Sequence, residues 1–479
     1  MAFSTVLFLC YFFPAAIVGY FIIRRISQKQ RWSNLFIVIA SLYFYYLCGG
    51  IDGLRKFLLL IVINLFFVYL IKIYKTKIAL TVGVVFDCFV LFKYKYPSSL
   101  FDLLFVDEDF WGGKSGSAVY LIGISFIIFS CISFLVDSYR CVDKSDNKID
   151  FDTIINDLTY LVFFPKLIQG PIVRFSDMKS EIVNRSVSAD DIYFGFTRVS
   201  YGVGKKLLIA DQMGQTISSM QSVSAWDTPS AWLYVVMYGL QLYVDFSAYS
   251  DIAIGVSRIF GFHFGENFDF PYLSTSVTEF WRRWHISLGA WFREYVYFPL
   301  GGSRSGNVYV NLLIVFILTG MWHGNTKIFL CWGLGHGIFV LLERTPAYKK
   351  IRSRMNAKVS AVIGWSYTTL VVFIGWLCFT MGSVSNFFSV LKTLLGVPMS
   401  GTVYFTFEYF WSIKTAVLII VTVAGILLLS RAGVRDFLRR FSGTKAGIII
   451  NIALSVLLLV MSFCATVYNG YTPFMYFRF

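Results

Sequence analysis

The chain has 479 residues, 57% of them hydrophobic and only 14% charged, with a net charge of +15. Soluble domains average about 25% charged and about 45–50% apolar residues, which excludes a water-soluble fold: a chain this long has no way to hide so much apolar surface. The basic excess falls in short clusters between apolar runs, as in membrane-protein loops, and forms no continuous stripe of the kind that binds nucleic acid.

Hydrocarbon is the natural solvent for this composition, and the abundant Phe, Tyr and Trp fit lipid-facing and interfacial positions. The sequence predicts an all-α, polytopic transmembrane protein forming one membrane domain over 1–479. Residues 3–23 are an uncharged apolar run followed by Arg24 and Arg25. A cleaved signal carries its basic residues before the apolar core, so this run is read as a retained helix with its N-terminus outside. Helices near 33–48 and 57–73 follow, then a basic turn with Lys72, Lys75 and Lys77. A helix near 78–92 leads outward to Asp102, Asp107, Glu108 and Asp109, and one near 117–136 returns to a polar stretch at 140–150.

The middle, 150–300, is less regular. Its apolar segments, 159–168, 194–210, 230–247 and 252–264, are short and interrupted. Such segments suit re-entrant, interfacial or protein-buried elements, and a cavity is expected here. Within it, Lys166 lies among helix breakers in Phe164-Pro165-Lys166-Leu167-Ile168-Gln169-Gly170-Pro171; it either belongs to a re-entrant element or snorkels to the interface. Asp245 recurs with other polar groups in an apolar run and either lines a polar cavity or, like Asp251, is a structural partner of an arginine.

Within residues 276–304 the sequence predicts an amphipathic, aromatic and basic helix over 276–298, with Trp281, His285, Leu288, Phe292 and Tyr295 on one face and Arg282 and Arg283 elsewhere. Two readings stand: an interfacial anchor, or an element carrying a working histidine. In 307–342, apolar stretches flank Gly320-Met-Trp322-His323-Gly324 and Gly333-Leu-Gly335-His336-Gly337. An ionisable residue inside a membrane segment is a functional candidate, and neutral imidazole is a competent base near pH 7. His323 is either that base or an interhelical strut; His336, among three glycines, reads more as close packing. Late basic clusters at 343–358 and 431–445, separated by helices near 361–381 and 413–430, lie on the cytoplasmic side, and a helix near 446–468 puts the C-terminus outside. The eight cysteines are scattered with no Cys-x-x-Cys pair, so neither a metal site nor a disulfide framework is indicated. No nucleotide, hydrolase-elbow or zincin motif is present.

The string FDFPYLSTSVTEFWRRWHISLGAWFREYVYFPLGGSR, from Phe268, closely resembles the hallmark of membrane-bound O-acyltransferases of the alginate O-acetyltransferase type. Met321-Trp322-His323-Gly324 and Gly335-His336-Gly337 match further blocks. So do LIGISFIIFSCISFLVDSYR at 121–140, FFPKLIQGPIVR at 163–174, LYVDFSAYSDIAIG at 242–255 and the terminal FMYFRF. The motif-rich core is 121–342.

The resemblance implies a helical membrane core around a central tunnel, entered by the acyl donor from the cytoplasm and by the acceptor from the other side. It implies that His323 is the catalytic histidine and His285 the second signature position, which is asparagine or histidine across the wider family. Trp281, Arg282, Arg283, Trp322, Asp245 and Lys166 become candidates for the tunnel or the donor site. The implied activity is transfer of acetyl from acetyl-CoA, with no bound cofactor, to a bacterial cell-surface polysaccharide. A separate extracytoplasmic hydrolase-like acetyltransferase or other polysaccharide machinery is the implied partner. Within the family, D-alanylating and lipid or protein acyltransferases compete; the Pro299-Leu300-Gly301-Gly302 ending resembles the polysaccharide branch more. A transporter is the competitor from another class.

Overall fold

In hydrocarbon every backbone amide and carbonyl must find its partner within the protein, which favours helices over exposed irregular chain. The computed structural model describes residues 3–96, 121–140 and 149–469, and among them every regular element is helical. The acidic stretch with Asp102, Asp107, Glu108 and Asp109 lies outside the described residues. So do residues 117–120, residues 141–148 and the terminal FMYFRF.

Two compact units emerge: residues 1–199 with 253–265, and residues 200–252 with 266–479. The first begins with a π-turn, Leu7–Phe12, running into α1 (Phe13–Ile26). Next comes α2 (Gln30–Tyr74), which breaks at Gly50, where φ is +66°. Only glycine takes that conformation without steric cost, so α2 is in substance the two helices expected at 33–48 and 57–73. Each is about 20 residues and ~30 Å long, a bilayer's hydrocarbon thickness. There follow α3 (Lys77–Lys95), α4 (Ile124–Arg140), α5 (Phe151–Val162), α6 (Phe175–Val183) and most of α7 (Ala189–Gly204). Thr76 and Asp150 cap α3 and α5 through the amides of Ile78 and Thr153. The core of this unit is aromatic: Phe8, Phe12, Phe44 and Phe164 pack at ring separations of 5.3 to 6.4 Å.

The second unit holds α8 (Asp211–Gln221), most of α9 (Thr228–Ile259), α10 (Val277–Arg283), α11 (Ile286–Phe292), α12 (Val308–His323), α13 (Lys327–Arg344) and α14 (Pro346–Ser353). It ends with α15 (Ala357–Trp376), α16 (Val384–Leu394), α17 (Ile413–Leu429), α18 (Ala432–Ser442) and α19 (Lys445–Asn469). Among the described residues, four helices are long and apolar enough to cross a membrane, with α2 counted once despite its break, or up to six if α13 with α14 and α17 with α18 each count as one bent span.

Two sequence expectations need correction. The separate segments 230–247 and 252–264 are mostly one 32-residue helix, α9. The polar residues that interrupt its hydropathy find partners inside the protein: Asp245 meets Lys206 at 2.8 Å and Asp251 meets Lys205 at 2.8 Å. Conversely, the single amphipathic helix expected over 276–298 is split at Trp284 and His285. There Trp284 N–H still closes the last turn onto Phe280 C=O at 2.8 Å, but the next bonds run to the preceding loop: Asp269 N–H donates to Arg283 C=O and Ile286 N–H to Asn267 C=O, both at 3.0 Å. Trp281 and His285 therefore do not share one continuous helix face.

Candidate active site

Three of the four histidines are buried in the second unit: His285, His323 and His336 are 2%, 4% and 3% exposed. The fourth, His263, lies in the first unit against the Glu181 carboxylate at 2.6 Å.

His285 occupies the break between α10 and α11 with φ +47° and ψ +53°. This left-handed conformation costs an L-residue roughly 1–2 kcal/mol, and Asn, Asp and His are enriched there among non-glycine residues. The ring is held by Asn267, whose Oδ1 lies 3.3 Å from Nδ1. That same oxygen accepts from Ser287 N–H at 3.2 Å and from Ser287 Oγ at 2.8 Å, while Asn267 Nδ2 donates to Ser250 Oγ at 3.1 Å. The network fixes the tautomer. An acceptor oxygen faces Nδ1, and the Ser287 proton is already committed to Asn267, so Nδ1 carries hydrogen and Nε2 carries the lone pair. Nε2 is buried with no protein hydrogen-bond partner.

His323 is the last residue of α12. Its ring lies 4.5 Å from Trp322, 4.9 Å edge-on from Trp332 and 5.0 Å from Phe379. The Trp322 ring also reaches His285, at 6.4 Å, so one indole adjoins both imidazoles. His336, one helical turn beyond Trp332, stands edge-on to Trp281 at 5.2 Å and against Trp332 at 5.1 Å. A Cβ on Gly375 would come within 2.6 Å of its Nε2, so the missing side chain gives the imidazole room. Trp376 extends the cluster to Trp332 at 6.3 Å and to Trp284 at 4.8 Å. The indole nitrogens of Trp281, Trp332 and Trp376, and Nδ1 of His336, are buried without hydrogen-bond partners. Buried polar atoms are nearly always satisfied, so four such atoms in one aromatic cluster make it the candidate site.

The helices that present these groups are fixed by glycine. A Cβ on Gly320 of α12 would meet Phe329 C=O of α13 at 2.5 Å, and Gly333 and Gly337 of α13 press on Phe316 of α12. Small residues four apart allow such close approach in membranes.

The other sequence candidates have partners of their own or are exposed. Lys166 belongs to the first unit, buried, with Nζ donating to Ser130 Oγ at 2.9 Å and lying 3.8 Å over the Tyr160 ring. Asp245 and Asp211 both bind Lys206, at 2.8 and 2.7 Å. Arg283 pairs with Glu279 at 2.8 Å, and Arg282 is exposed. No three His, Cys, Asp or Glu side chains among the described residues are grouped as metal ligands would be. The sequence reading missed Asn267, Trp332 and Trp376 as neighbours of the histidines. Trp332 had a signal in its i, i+4 spacing to His336; Asn267 and Trp376 had none, because their contacts are non-local.

The profile of the membrane-bound O-acyltransferase (MBOAT) family matches residues 7–385, through all three buried histidines. The chain belongs to the MBOAT family. It is 33% identical to a probable alginate O-acetylase of Pseudomonas putida over the full length of both chains. It is 30% identical to a peptidoglycan O-acetyltransferase of Helicobacter pylori, covering 83% of this chain and 80% of that one. A teichoic acid D-alanyltransferase of Bacillus subtilis is 26% identical, covering 46% of this chain and 58% of the relative. This MBOAT protein is thus a multi-pass membrane acyltransferase, and its reaction requires an acyl donor.

Proposed function

We propose that this MBOAT protein takes an acetyl group from cytoplasmic acetyl-CoA and moves it across or within the cell membrane for O-acetylation of a cell-surface polysaccharide. The observation that carries the reading is the cluster of His285, His323 and His336 with unpartnered indole N–H groups around them. Alginate and peptidoglycan O-acetylation by the two relatives that align over most of this chain favours polysaccharide over D-alanyl or lipid chemistry. The whole chain acts as one membrane domain, with its catalytic core in 121–342 around a tunnel and both termini outside. Polysaccharide machinery, including a separate extracytoplasmic acetyltransferase, takes the product onward.

In this reading His323 is the general base. It removes the proton of the acceptor hydroxyl as the oxygen attacks the thioester carbonyl, and the tetrahedral intermediate expels CoA thiolate, which takes that proton back. Nε2 of His285, with its lone pair, accepts a hydrogen bond and orients a reacting group. Buried indole donors stabilise the charge that develops on the carbonyl oxygen, the role donors play in an oxyanion site. Trp281 and Trp322 wall the acyl group, and the exposed Arg282 meets anionic groups of the donor.

The test is CoA thiol release from acetyl-CoA by membranes containing the full chain and its polymer acceptor, per folded molecule. His323→Ala should lose at least about 100-fold, the lower end of general-base catalysis, with folded protein unchanged. His285→Asn, which keeps hydrogen bonding and tolerates the left-handed backbone, should retain more activity than His285→Ala. Near-normal turnover by folded His323→Ala overturns the assignment of the base.

A further inference from the structure

The first amides of a helix have no partner within it and must find one elsewhere. At α10 all are accounted for. Val277 N–H donates to Glu343 Oε1 at 2.6 Å and Thr278 N–H to Glu343 Oε2 at 2.8 Å. Glu279 N–H goes to Ser276 Oγ at 3.0 Å, and Phe280 N–H to Ser276 C=O at 2.9 Å. Glu343 is buried in the last turn of α13, 66 residues from Val277. A carboxylate with one oxygen on each of two successive amides is a strong, directional clamp, favoured further by the positive end of the helix dipole.

The clamp has a consequence for the site. On α13 the buried residues Trp332, His336, Val340 and Glu343 recur at helical spacing and share a face. Val277 packs with Val340, Trp281 stands against Trp332 and His336, and Glu343 holds the amides, so that face grips α10 along its length. Through Gly333 and Gly337, α13 also seats α12, which ends at His323. His285 lies two residues beyond the far end of α10, after Trp284. One helix is therefore the common reference for two imidazoles carried on separate segments.

We propose that Glu343 is a positioning residue: its carboxylate anchors the first turn of α10 to α13 and so sets His285 relative to His323. This rests on the reading that both histidines serve the reacting groups. The test compares Glu343→Gln and Glu343→Leu in membranes containing the full chain, with acetyl-CoA as the probe. Gln keeps one acceptor oxygen for one amide; Leu keeps none. A misplacement of about 1 Å at a reacting group can cost about 100-fold. Accordingly kcat should fall about tenfold for Gln and about 100-fold for Leu, while KM for acetyl-CoA stays within about twofold and folded protein is unchanged.

A second readout needs no turnover. Carbethoxylation of His285 by diethyl pyrocarbonate, scored by mass spectrometry on protein that stays monodisperse in detergent, should rise several-fold in Glu343→Gln while that of His336 does not. Unchanged His285 reactivity with kcat within twofold of wild type overturns the proposal, as does an equal rise at both histidines, which reports general loosening. If wild-type membranes release no CoA thiol, or His323→Ala releases as much as wild type, the catalytic reading fails; the reactivity of His285 still decides whether Glu343 positions it.

Discussion

Asn267 Oδ1 lies 3.3 Å from Nδ1 of His285 and in that position decides which ring nitrogen keeps a lone pair. The relationship joins two segments that sequence alone does not connect, because Asn267 precedes the break in the helix by 18 residues. It also predicts a kinetic phenotype. Asn267→Ala removes the acceptor for Nδ1–H and for Ser287, leaving the imidazole free to turn or to change tautomer. Turnover should fall about 10–100-fold with little change in the apparent affinity for acetyl-CoA, as expected when orientation rather than donor binding is lost. Steady-state kinetics on membranes matched for folded protein checks this. A rise in KM with kcat intact would show that Asn267 serves donor binding instead.

Much of the architecture was legible in the sequence, and the failures have physical causes. Apolar runs at 3–23, 78–92, 413–430 and 446–468 coincide with helices, because in lipid hydrophobicity and backbone satisfaction point to the same answer. The helix pair around Gly50 was legible too. The helix expected over 276–298 was not, because its periodicity is intact through Trp284 and His285. What breaks it is backbone pairing with 267–269, a tertiary effect that leaves no local trace. The opposite error occurred in α9, where Asp245 and Asp251, paired with Lys206 and Lys205, look like interruptions. For the site, the three histidines stood out because an ionisable group in an apolar run is rare. Trp376 and Asn267 did not, since each reaches the cluster from a distant stretch of chain, and neither did Glu343, whose partner amide on Val277 lies 66 residues away.

A pH-dependent effect is expected in the first unit, away from the histidine cluster. Burial alone would push the Asp191 carboxyl up, but hydrogen bonds from the Ser188 amide and hydroxyl, and the Arg258 guanidinium at 2.6 Å, outweigh it and hold the carboxyl below its ordinary value. His263 also faces it, with Nε2 at 3.5 Å. A carboxyl whose folded pKa is depressed contributes stability above its unfolded value, about 3.9, and loses it as pH falls through the lower folded value. Asp191→Asn should therefore lower the thermal stability of the detergent-solubilised protein at pH 7 by about 1 kcal/mol, as for a partly exposed ion pair. The gap to wild type should close as the pH is brought below about 4. Melting curves of both proteins from pH 7 to pH 3 measure it; a gap that widens on acidification contradicts the assignment.

The remaining prediction concerns sidedness, where charge and geometry bear on one loop. Residues 343–358 carry Arg344, Lys349, Lys350, Arg352, Arg354 and Lys358, and the chain turns through 62° between α13 and α14 within that stretch. A turn of this size at the end of an apolar helix, followed by a basic segment in which no residue is buried, suits a helix lying at a membrane surface. Basic loops are retained on the cytoplasmic side. The cluster at 431–445 has the same design: α18 bends 86° from α17, exposes its arginines and leaves Phe437 and Leu438 uncovered. Both segments should therefore face the cytoplasm. The measurement is maleimide labelling of Lys350→Cys and Arg439→Cys in a background lacking the native cysteines, in intact cells and in inverted vesicles. A membrane-impermeant reagent should label both positions only in the inverted vesicles. Labelling of residue 350 in intact cells would place α14 outside and overturn the proposed orientation.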